Sequence, residues 1–334
     1  MSSPDKLPIL DRDAYLSRLQ ECLEPMLRVR AMYSSLVNGI VTDPELMTVP
    51  VFDHAIVRGH AVFDTATVSC GRIYRMSAHL DRLLSGAERS RIPLPYGEKV
   101  SSNKDLMVSV VAQTVVAAGL RQGKIRMYLS AGPGNFGITP KGCTSAFYVA
   151  VYDSDAAIMT DGGVHEVTVD VPMKPEILAT TKSNNYMLNV LTKMASEDKG
   201  GSFGVLVDPA GNVAESCVMN AVFVTPDRRL VTPTFDGILA GTTVLKLLSL
   251  AEELVGNLLS AISQEVVPAR DAHSSVEMFF VAGDDHIVPV LSWDGQTIGA
   301  GKIGLVTKRL GELLHKEVTL GTGDHLALTY PGDP

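Results

Sequence analysis

Three short segments in the second half of the chain carry side chains whose types and spacing could do chemistry. Lys182 ends an extended segment immediately before an apolar helix, so its amine is a potential nucleophile. Glu215 falls within an apolar strand, where an unpaired carboxylate is costly. Gly241, Thr242 and Thr243 open a helix whose free N–H groups, together with two hydroxyls, can hold a phosphate. Each segment alone also has an ordinary interpretation: a solvated lysine, a strand glutamate facing solvent and a helix N-cap.

Taken together, the three segments match the needs of one cofactor, pyridoxal 5'-phosphate (PLP). PLP requires an amine that bonds to its aldehyde, an acidic partner for its pyridine nitrogen and a seat for its phosphate. Lys182, Glu215 and residues 241–243 offer these three groups in one chain. The sequence therefore predicts a PLP site.

Two other kinds of site are disfavoured by the sequence. Residues 132–137 fit the G-x-G-x-x-G dinucleotide pattern, but that pattern needs a helix to open at the turn, and residues 138–143 cannot propagate one. We therefore expect a glycine-rich loop there. The eight histidines include no HExxH pattern and no pair four residues apart, so no metal site is expected.

Composition and charge exclude several classes of protein. The 334 residues are 46% hydrophobic and 20% charged, which suits a chain with two globular domains. The net charge is −8 and there is no basic run, so binding to nucleic acid or to an anionic membrane is not expected. No uninterrupted apolar run reaches the ~18 residues that a membrane span needs.

The cysteines and the start of the sequence favour a cytoplasmic location. Four scattered cysteines without a CxxC pair are typical of a reducing compartment. The first thirty residues are acidic and contain no apolar block, which argues against a signal or transit peptide. An organellar location is the alternative if a transit peptide has been removed from this sequence.

Strand pairs joined by tight turns, with helices between them, predict a mixed antiparallel α+β fold in two domains. Strands are expected at 47–52, 61–68, 146–152 and 165–173, and a helix at 185–198 should carry one apolar face formed by Met187, Val190, Leu191 and Met194. The predicted organisation is a helical extension over 1–32 with its helix at 13–29, a small α+β domain over 33–153, a connector over 154–163 and a large PLP-binding domain over 164–334.

The order of the motifs resembles that of the fold-type IV PLP enzymes, the family of branched-chain aminotransferases, D-amino-acid transaminases and aminodeoxychorismate lyase. The resemblance runs from about Tyr33 to Leu314. It implies that Lys182, in a Lys-x-x-Asn-Tyr motif, is the Schiff-base lysine, that Tyr186 hydrogen-bonds the 3-oxygen of PLP and that Glu215 faces the pyridine nitrogen. PLP is then expected in a cleft between the two domains.

Further motifs extend the cofactor site that the resemblance implies. Residues 79–83 are similar to the family's HxxRL helix, whose arginine binds the phosphate, and residues 241–243 are similar to its Gly-x-Thr cradle. The implied cofactor-binding residues are Arg82, Lys182, Tyr186, Glu215, Ser216, Asn220, Gly241, Thr242 and Thr243.

Within the family, residues 58–65, 126–134 and 235–241 are most similar to the plant-type D-amino-acid transaminases. Bacterial-type members have a tyrosine at the position of Phe63 and an Arg-x-His pair in the loop at 132–137, so their trap for the substrate carboxylate is absent. Phe63 and Arg126 become the expected substrate residues, although Arg126 could equally be an ordinary surface arginine.

Two further expectations concern groups near the substrate and the phosphate. The backbone amides of Gly132 and Gly134 are the expected donors to the substrate carboxylate, because the bacterial-type trap is missing. Branched-chain enzymes usually offer a threonine to the phosphate at the position of Asp284, so this sequence lacks one phosphate contact and resembles that branch less.

The resemblance implies a homodimer that transfers an amino group from a small D-amino acid to a 2-oxo acid. Three alternatives share the same motifs: an aminodeoxychorismate lyase, a branched-chain L-amino-acid aminotransferase and a PLP-binding protein without catalysis. The cofactor motifs do not distinguish the first two alternatives from a D-amino-acid transaminase, because the pocket lining determines the substrate.

Overall fold

The computed structural model describes residues 7–23, 28–154, 162–320 and 324–333. Two β-sheets with helices packed on them form the fold, which agrees with the predicted α+β class. The helices are α1 (Arg12–Leu23), α2 (His54–Val57), α3 (Met76–Arg89), α4 (Val100–Ala118), α5 (Glu176–Ala179), α6 (Met187–Asp198), α7 (Thr242–Ala251), α8 (Ala269–Ala272) and α9 (Leu305–Leu320). The strands are β1 (Val29–Ser34), β2 (Gly39–Val41), β3 (Ala61–Ser69), β4 (Arg72–Tyr74), β5 (Gly123–Ser130), β6 (Ala146–Tyr152), β7 (Val164–Glu166), β8 (Thr168–Val169), β9 (Val205–Val207), β10 (Val213–Ser216), β11 (Asn220–Val224), β12 (Arg229–Thr232), β13 (Ala261–Gln264), β14 (Glu277–Ala282), β15 (His286–Trp293), β16 (Gln296–Thr297) and β17 (His325–Ala327).

The first sheet has seven strands in the order β17-β4-β3-β5-β6-β1-β2, and every neighbouring pair is antiparallel. Residues of β5 alternate between buried and half-buried because successive side chains of a strand point to opposite faces. Ile125 and Met127 face a core that includes Leu80 of α3 and Met107 of α4. Burying each such side chain contributes about 1.5–3 kcal/mol. The opposite face of β5 presents Arg126.

The second sheet has ten strands, with the order β16-β15-β14-β11-β10-β9-β8 and with β12, β13 and β7 paired beside this path. Helices α7 and α9 cover one face, where Leu247, Leu310 and Phe279 are fully buried. The other face buries a second cluster around Trp293 and Phe280. This sheet carries Glu215 on β10 and leads into residues 241–243 at the start of α7.

Several predicted elements are confirmed and others are wrong. Strands β3 and β6 match the predictions at 61–68 and 146–152. Residues 47–52 form no strand, since the Asp53 amide donates to the Pro50 carbonyl in a turn that proline favours. The strand predicted at 165–173 is divided into β7 and β8, because β7 pairs with β15 whereas β8 pairs with β9.

The ends of the predicted domains also differ from the structure. Strand β1 begins at Val29 inside the predicted extension 1–32, so the helix predicted at 13–29 stops earlier, and residues 24–27 lie outside the described residues. Strand β17 pairs with β4 of the first sheet, so the end of the chain leaves the predicted large domain 164–334. Most of the connector predicted at 154–163 lies outside the described residues.

Helix α6 buries its polar side and exposes its apolar side, the reverse of what its apolar pattern predicts. Its apolar residues Met187, Val190, Leu191 and Met194 are 42–72% exposed, whereas Asn189 is buried and donates to the Cys217 carbonyl. Asn189 shares its buried side of the helix with Thr192 and Ser196. The apolar stripe therefore lies on the surface of the chain. Among the described residues no helix is both long enough and apolar enough to cross a membrane.

Candidate active site

Lys182 lies on a segment that extends the first sheet. The Phe63 amide donates to the Lys182 carbonyl at 2.8 Å, and the Asn184 amide donates to the Ala61 carbonyl at 3.0 Å. Val62 and Ser183 form an isolated antiparallel bridge. Strand β4 pairs only with the end of β3, at Val68 and Ser69, so the segment pairs with the start of β3 on the same side, which fixes the backbone of the lysine beside the first sheet.

The Lys182 amine is surrounded by aromatic rings and cations. Its Nζ atom lies 4.6 Å from the centre of the Phe63 ring and 3.2 Å from the Tyr186 hydroxyl, to which it donates. Burial, and then the positive charge of Arg82, lower the pKa of the amine to about 8. About one amine in ten is then neutral at pH 7, far more than for an ordinary lysine. The arrangement therefore favours a nucleophilic amine.

Tyr186 precedes α6 by one residue and faces the same space as Lys182. Its ring contacts the Phe63 ring edge-on, with 5.0 Å between the centres. Burial raises the pKa of the Tyr186 phenol above its ordinary value, so the hydroxyl stays protonated and can donate a hydrogen bond.

Glu215 is buried, with 7% of its surface exposed, so the interpretation of a strand glutamate facing solvent is wrong. It pairs in register with Asn220 of β11, whose side-chain amide donates to the Leu239 carbonyl at 2.8 Å. Burial raises the pKa of the Glu215 carboxyl to about 7, against the opposing charge of Lys174 and a backbone hydrogen bond from Leu239. The buried carboxyl group therefore has a pKa close to neutral pH.

Residues 241–243 form the start of α7 and lie against β11. A Cβ atom on Gly241 would collide with the side-chain oxygen of Asn220, so a larger residue here would have to displace the Asn220 side chain. Thr242 and Thr243 are both buried, and the Thr243 hydroxyl accepts the Asp284 amide proton at 2.9 Å. Since its oxygen already accepts a hydrogen bond, the hydroxyl proton remains available to another acceptor.

Arg82 is fixed by a two-point ion pair with Asp64 of β3. Its Nε and Nη2 atoms donate to the two carboxylate oxygens at 2.7 Å each. The paired guanidinium and carboxylate hold each other in one orientation, as bidentate pairs do. This leaves the remaining N–H groups of Arg82, including both on Nη1, for an anion.

Arg126 projects from the face of β5 opposite to the core. Its guanidinium carbon lies 5.0 Å from the centre of the Phe63 ring, and its Nε atom is buried without a hydrogen-bond partner in the described part of the chain. The positive charge of Arg126 is one of the causes that lower the pKa of Lys182. A buried guanidinium with an unused N–H group is suited to a carboxylate.

Comparison with known proteins identifies the family. A family model described as amino-transferase class IV matches residues 61–293, more than half of the chain. The chain belongs to the class IV aminotransferases. The D-amino-acid transaminase, chloroplastic, of Arabidopsis thaliana is 39% identical over 293 residues, which are 87% of this chain and 77% of that protein. A putative branched-chain-amino-acid aminotransferase of Methanocaldococcus jannaschii is 29% identical over 279 residues, 83% of this chain and 93% of that one.

A solved structure shows the same fold. The branched-chain amino acid aminotransferase from Escherichia coli superposes with a TM-score of 0.77 at 23% identity, over 89% of this chain and 97% of that chain. Class IV aminotransferases use PLP, which agrees with the cofactor that the sequence predicts.

Not every residue predicted from the sequence joins the cluster around Lys182. Ser216 is buried, but its hydroxyl contacts Cys217 Sγ at 3.9 Å. The role predicted for the Gly132 and Gly134 amides, binding a substrate carboxylate, is disfavoured and stays a prediction. Those amides already donate, to the Ser130 hydroxyl at 2.9 Å and to the Phe52 carbonyl at 3.3 Å.

Two residues of this class IV aminotransferase site were missed from the sequence. Asp64 lies inside the apolar strand β3, so it carries the same signal that selected Glu215, a carboxylate within an apolar run. Lys174 lies in an irregular segment, and its amine is 5.3 Å from the centre of the Tyr186 ring. No spacing in the sequence connects Lys174 with Glu215, whose pocket it shares.

Proposed function

We propose that this class IV aminotransferase holds PLP between its two sheets. The groups present fit the cofactor: the amine of Lys182, the buried carboxylate of Glu215, and the donors of Arg82 and of residues 241–243. The close approach of Asn220 to Gly241 supports a phosphate seat formed largely by backbone. When bound, PLP withdraws electrons from the Cα atom of an amino acid and makes its proton acidic.

Lys182, Glu215 and Tyr186 supply the proton chemistry in this proposal. Lys182 would hold the cofactor through Nζ and, as a free amine, would move the Cα proton of the substrate as general base and acid. The Glu215 carboxylate would accept a hydrogen bond from the protonated pyridine nitrogen. The Tyr186 hydroxyl donates to the 3-oxygen of the ring.

The phosphate is proposed to lie at the N-terminus of α7. The Nη1 group of Arg82 and the hydroxyls of Thr242 and Thr243 donate to its oxygens, and the first amides of the helix add to them. Asn220 supports this seat through the Leu239 carbonyl. Ser216 follows Glu215 as the last residue of β10 and completes the proposed set.

The proposed substrate is a small D-amino acid, D-alanine among them, with a 2-oxo acid as acceptor. The observation that carries an amino-acid substrate is the buried Nε group of Arg126 beside Phe63 and Lys182, which has no hydrogen-bond partner in the described part of the chain and provides one carboxylate seat against an aromatic wall. This seat suits either handedness. The Phe63 ring also lies 5.8 Å from the ring of Tyr128, so the space beside the amine is narrow. The Arabidopsis relative, named a D-amino-acid transaminase, supports this choice of substrate.

Comparison of two amino donors tests the substrate. PLP-loaded enzyme is mixed with D-alanine or with L-leucine, and conversion of the cofactor to its amine form is followed by absorbance. Faster conversion by D-alanine is expected. Faster conversion by L-leucine would instead support the branched-chain alternative, which the name of the Methanocaldococcus relative favours. Release of pyruvate from aminodeoxychorismate would identify the lyase.

A homodimer is also proposed, through the exposed apolar stripe of α6. Four apolar side chains on the surface of one helix form a surface that a second copy can cover, because identical faces pair around a two-fold axis. Light scattering of the wild type should give twice the 35.7 kDa of one chain. Leu191→Glu should give one chain, and a wild type with the mass of one chain would refute the dimer.

The compartment remains a prediction. The cysteine pattern favours the cytoplasm, whereas the Arabidopsis relative carries the word chloroplastic in its name. Fractionation of cells that express the native gene product, followed by detection with an antibody, distinguishes a cytoplasmic protein from an organellar one.

A further inference from the structure

A buried group of charges lies between the two sheets behind the proposed phosphate seat. His79 of α3 is 1% exposed, and Asp64 of β3 and Asp284, which follows β14, are 0% and 2% exposed. The Nδ1 atom of His79 lies 2.9 Å from an Asp64 oxygen, and its Nε2 atom lies 3.0 Å from an Asp284 oxygen. One imidazole thus connects the first sheet with the loop that follows β14 of the second.

The hydrogen-bonding partners determine the charge of His79. An ionised carboxylate accepts hydrogen bonds and donates none, so both ring nitrogens must carry protons. The two carboxylates accordingly raise the pKa of His79 to about 9 against the effect of burial, and the ring is an imidazolium.

Both partners of His79 contact residues of the proposed phosphate seat. Asp64 binds two N–H groups of Arg82, and the backbone amide of Asp284 donates to the Thr243 hydroxyl. His79 therefore lies one residue away from each of the two proposed phosphate ligands, Arg82 on α3 and Thr243 on α7, and these helices pack on different sheets.

We propose that His79 is a positioning residue that sets the orientation of Arg82 through Asp64 and of Thr243 through Asp284. The proposal rests on the proposed function, because it assumes that these two side chains bind the phosphate of PLP. His79 also balances the charge of Asp284, which stands close to the seat of a dianion. Without the imidazolium that carboxylate would repel the phosphate.

The charges of Lys124 and Arg82 also act on Asp284, but His79 is the cation that hydrogen-bonds both Asp64 and Asp284. The second oxygen of Asp284 accepts the Thr67 hydroxyl at 2.8 Å. Lys124 of β5 reaches the same Thr67 hydroxyl at 2.7 Å and also binds Asp285 at 3.2 Å. Arg82 faces Asp64 from the same helix as His79.

Two ligands that differ only in the phosphate test the proposal. Apo-enzyme is titrated with PLP and, separately, with pyridoxal, for the wild type, for His79→Gln and for His315→Gln, an exposed histidine of α9 that serves as control. We expect His79→Gln to weaken PLP binding on the order of 10-fold or more and to leave pyridoxal binding nearly unchanged. His315→Gln should change neither.

If His79→Gln lowers the affinity for PLP and for pyridoxal equally, His79 has a general structural role and the proposal fails. The proposal also fails if the affinity for PLP does not change. If His79→Gln does not fold, the wild type itself is measured between pH 7.5 and 10. The ratio of PLP to pyridoxal affinity should fall as the imidazolium loses its proton near pH 9, while titration of Lys182 affects both ligands alike. A constant ratio would reject the proposal. A wild type that binds neither ligand would instead reject the proposed function.

Discussion

The carbonyl of Lys182 accepts a 2.8 Å hydrogen bond from the amide of Phe63. This bond attaches the segment that carries the Lys182 amine to the start of β3, the strand that also carries Asp64. The amine and the carboxylate that holds Arg82 are therefore fixed by the same strand. A small shift of β3 would move Lys182, the proposed covalent anchor, together with Arg82, the proposed phosphate anchor. The distance between the two side chains would therefore stay constant.

Lys182→Ala should abolish covalent binding of the cofactor and transamination. The amine is the proposed nucleophile and the group proposed to move the Cα proton, and losing such a group typically reduces rates by about 10²–10⁴-fold or more. Borohydride reduction followed by mass spectrometry locates the attachment site. Lys141→Ala, in an exposed loop, is the control and should behave like the wild type. Reduced cofactor on a lysine other than Lys182 would contradict the assignment.

The reaction of apo-enzyme with pyridoxal should depend on the pKa of Lys182. Only the neutral amine attacks an aldehyde, so the rate should rise with pH and level off above about pH 8. Arg82→Met removes a positive charge that lowers this pKa, and should move the inflection to higher pH. Stopped-flow absorbance measures both curves. An inflection near the ordinary lysine value in the wild type would show that the amine is solvated.

Glu215→Gln should retain the cofactor but lose turnover. A neutral amide cannot hold the pyridine nitrogen protonated, and replacing the charge-assisted hydrogen bond should reduce kcat on the order of 10²-fold or more. Glu253→Gln, exposed after α7, is the matched control. Spectral titration measures the bound cofactor and steady-state kinetics measures kcat. A variant with the wild-type kcat would show that another group faces the nitrogen.

Much of the proposed site could be recognised in the sequence because its motifs are local. Lys182 and Tyr186 lie four residues apart, and residues 241–243 are contiguous, so each motif is visible without knowledge of the fold. Two strands of the first sheet, β3 and β6, were also predicted, since they have the apolar composition of buried strands.

The parts that could not be predicted depend on contacts between distant residues. His79 meets Asp284 across 205 positions, and nothing in either segment indicates the other. The orientation of α6 was missed because an apolar face ordinarily packs inward, whereas here Asn189 is buried by a hydrogen bond to Cys217, 28 residues away. Strand β17 was missed because three residues carry too little pattern to predict a strand.

Lys174→Met should shift the acid limb of the activity profile to higher pH. The positive charge of Lys174 is the foremost opposing cause that keeps the pKa of Glu215 from rising beyond about 7. Without this charge the carboxyl binds its proton more tightly, so the ionised form needed for turnover appears at higher pH. Profiles of kcat against pH for Lys174→Met and Lys174→Arg provide the measurement. Lys174→Arg keeps the charge and should resemble the wild type; identical profiles for all three proteins would contradict the coupling.

Two glycines with nearly the same backbone conformation should differ in their tolerance of a side chain. Gly132 has φ +88° and Gly211 has φ +86°, a left-handed region that disfavours alanine at either position by about 1–2 kcal/mol. A Cβ atom on Gly132 would also collide with the Thr144 carbonyl, whereas nothing lies within 4 Å of a Cβ atom on Gly211. Gly132→Ala should therefore reduce the free energy of unfolding clearly more than Gly211→Ala, as measured by urea denaturation. Because the Gly132 carbonyl also accepts the His54 amide at 3.0 Å, the shift forced by alanine should disturb the start of α2 as well. Equal losses for the two variants would show that the loop at 132–137 relaxes around the new methyl group.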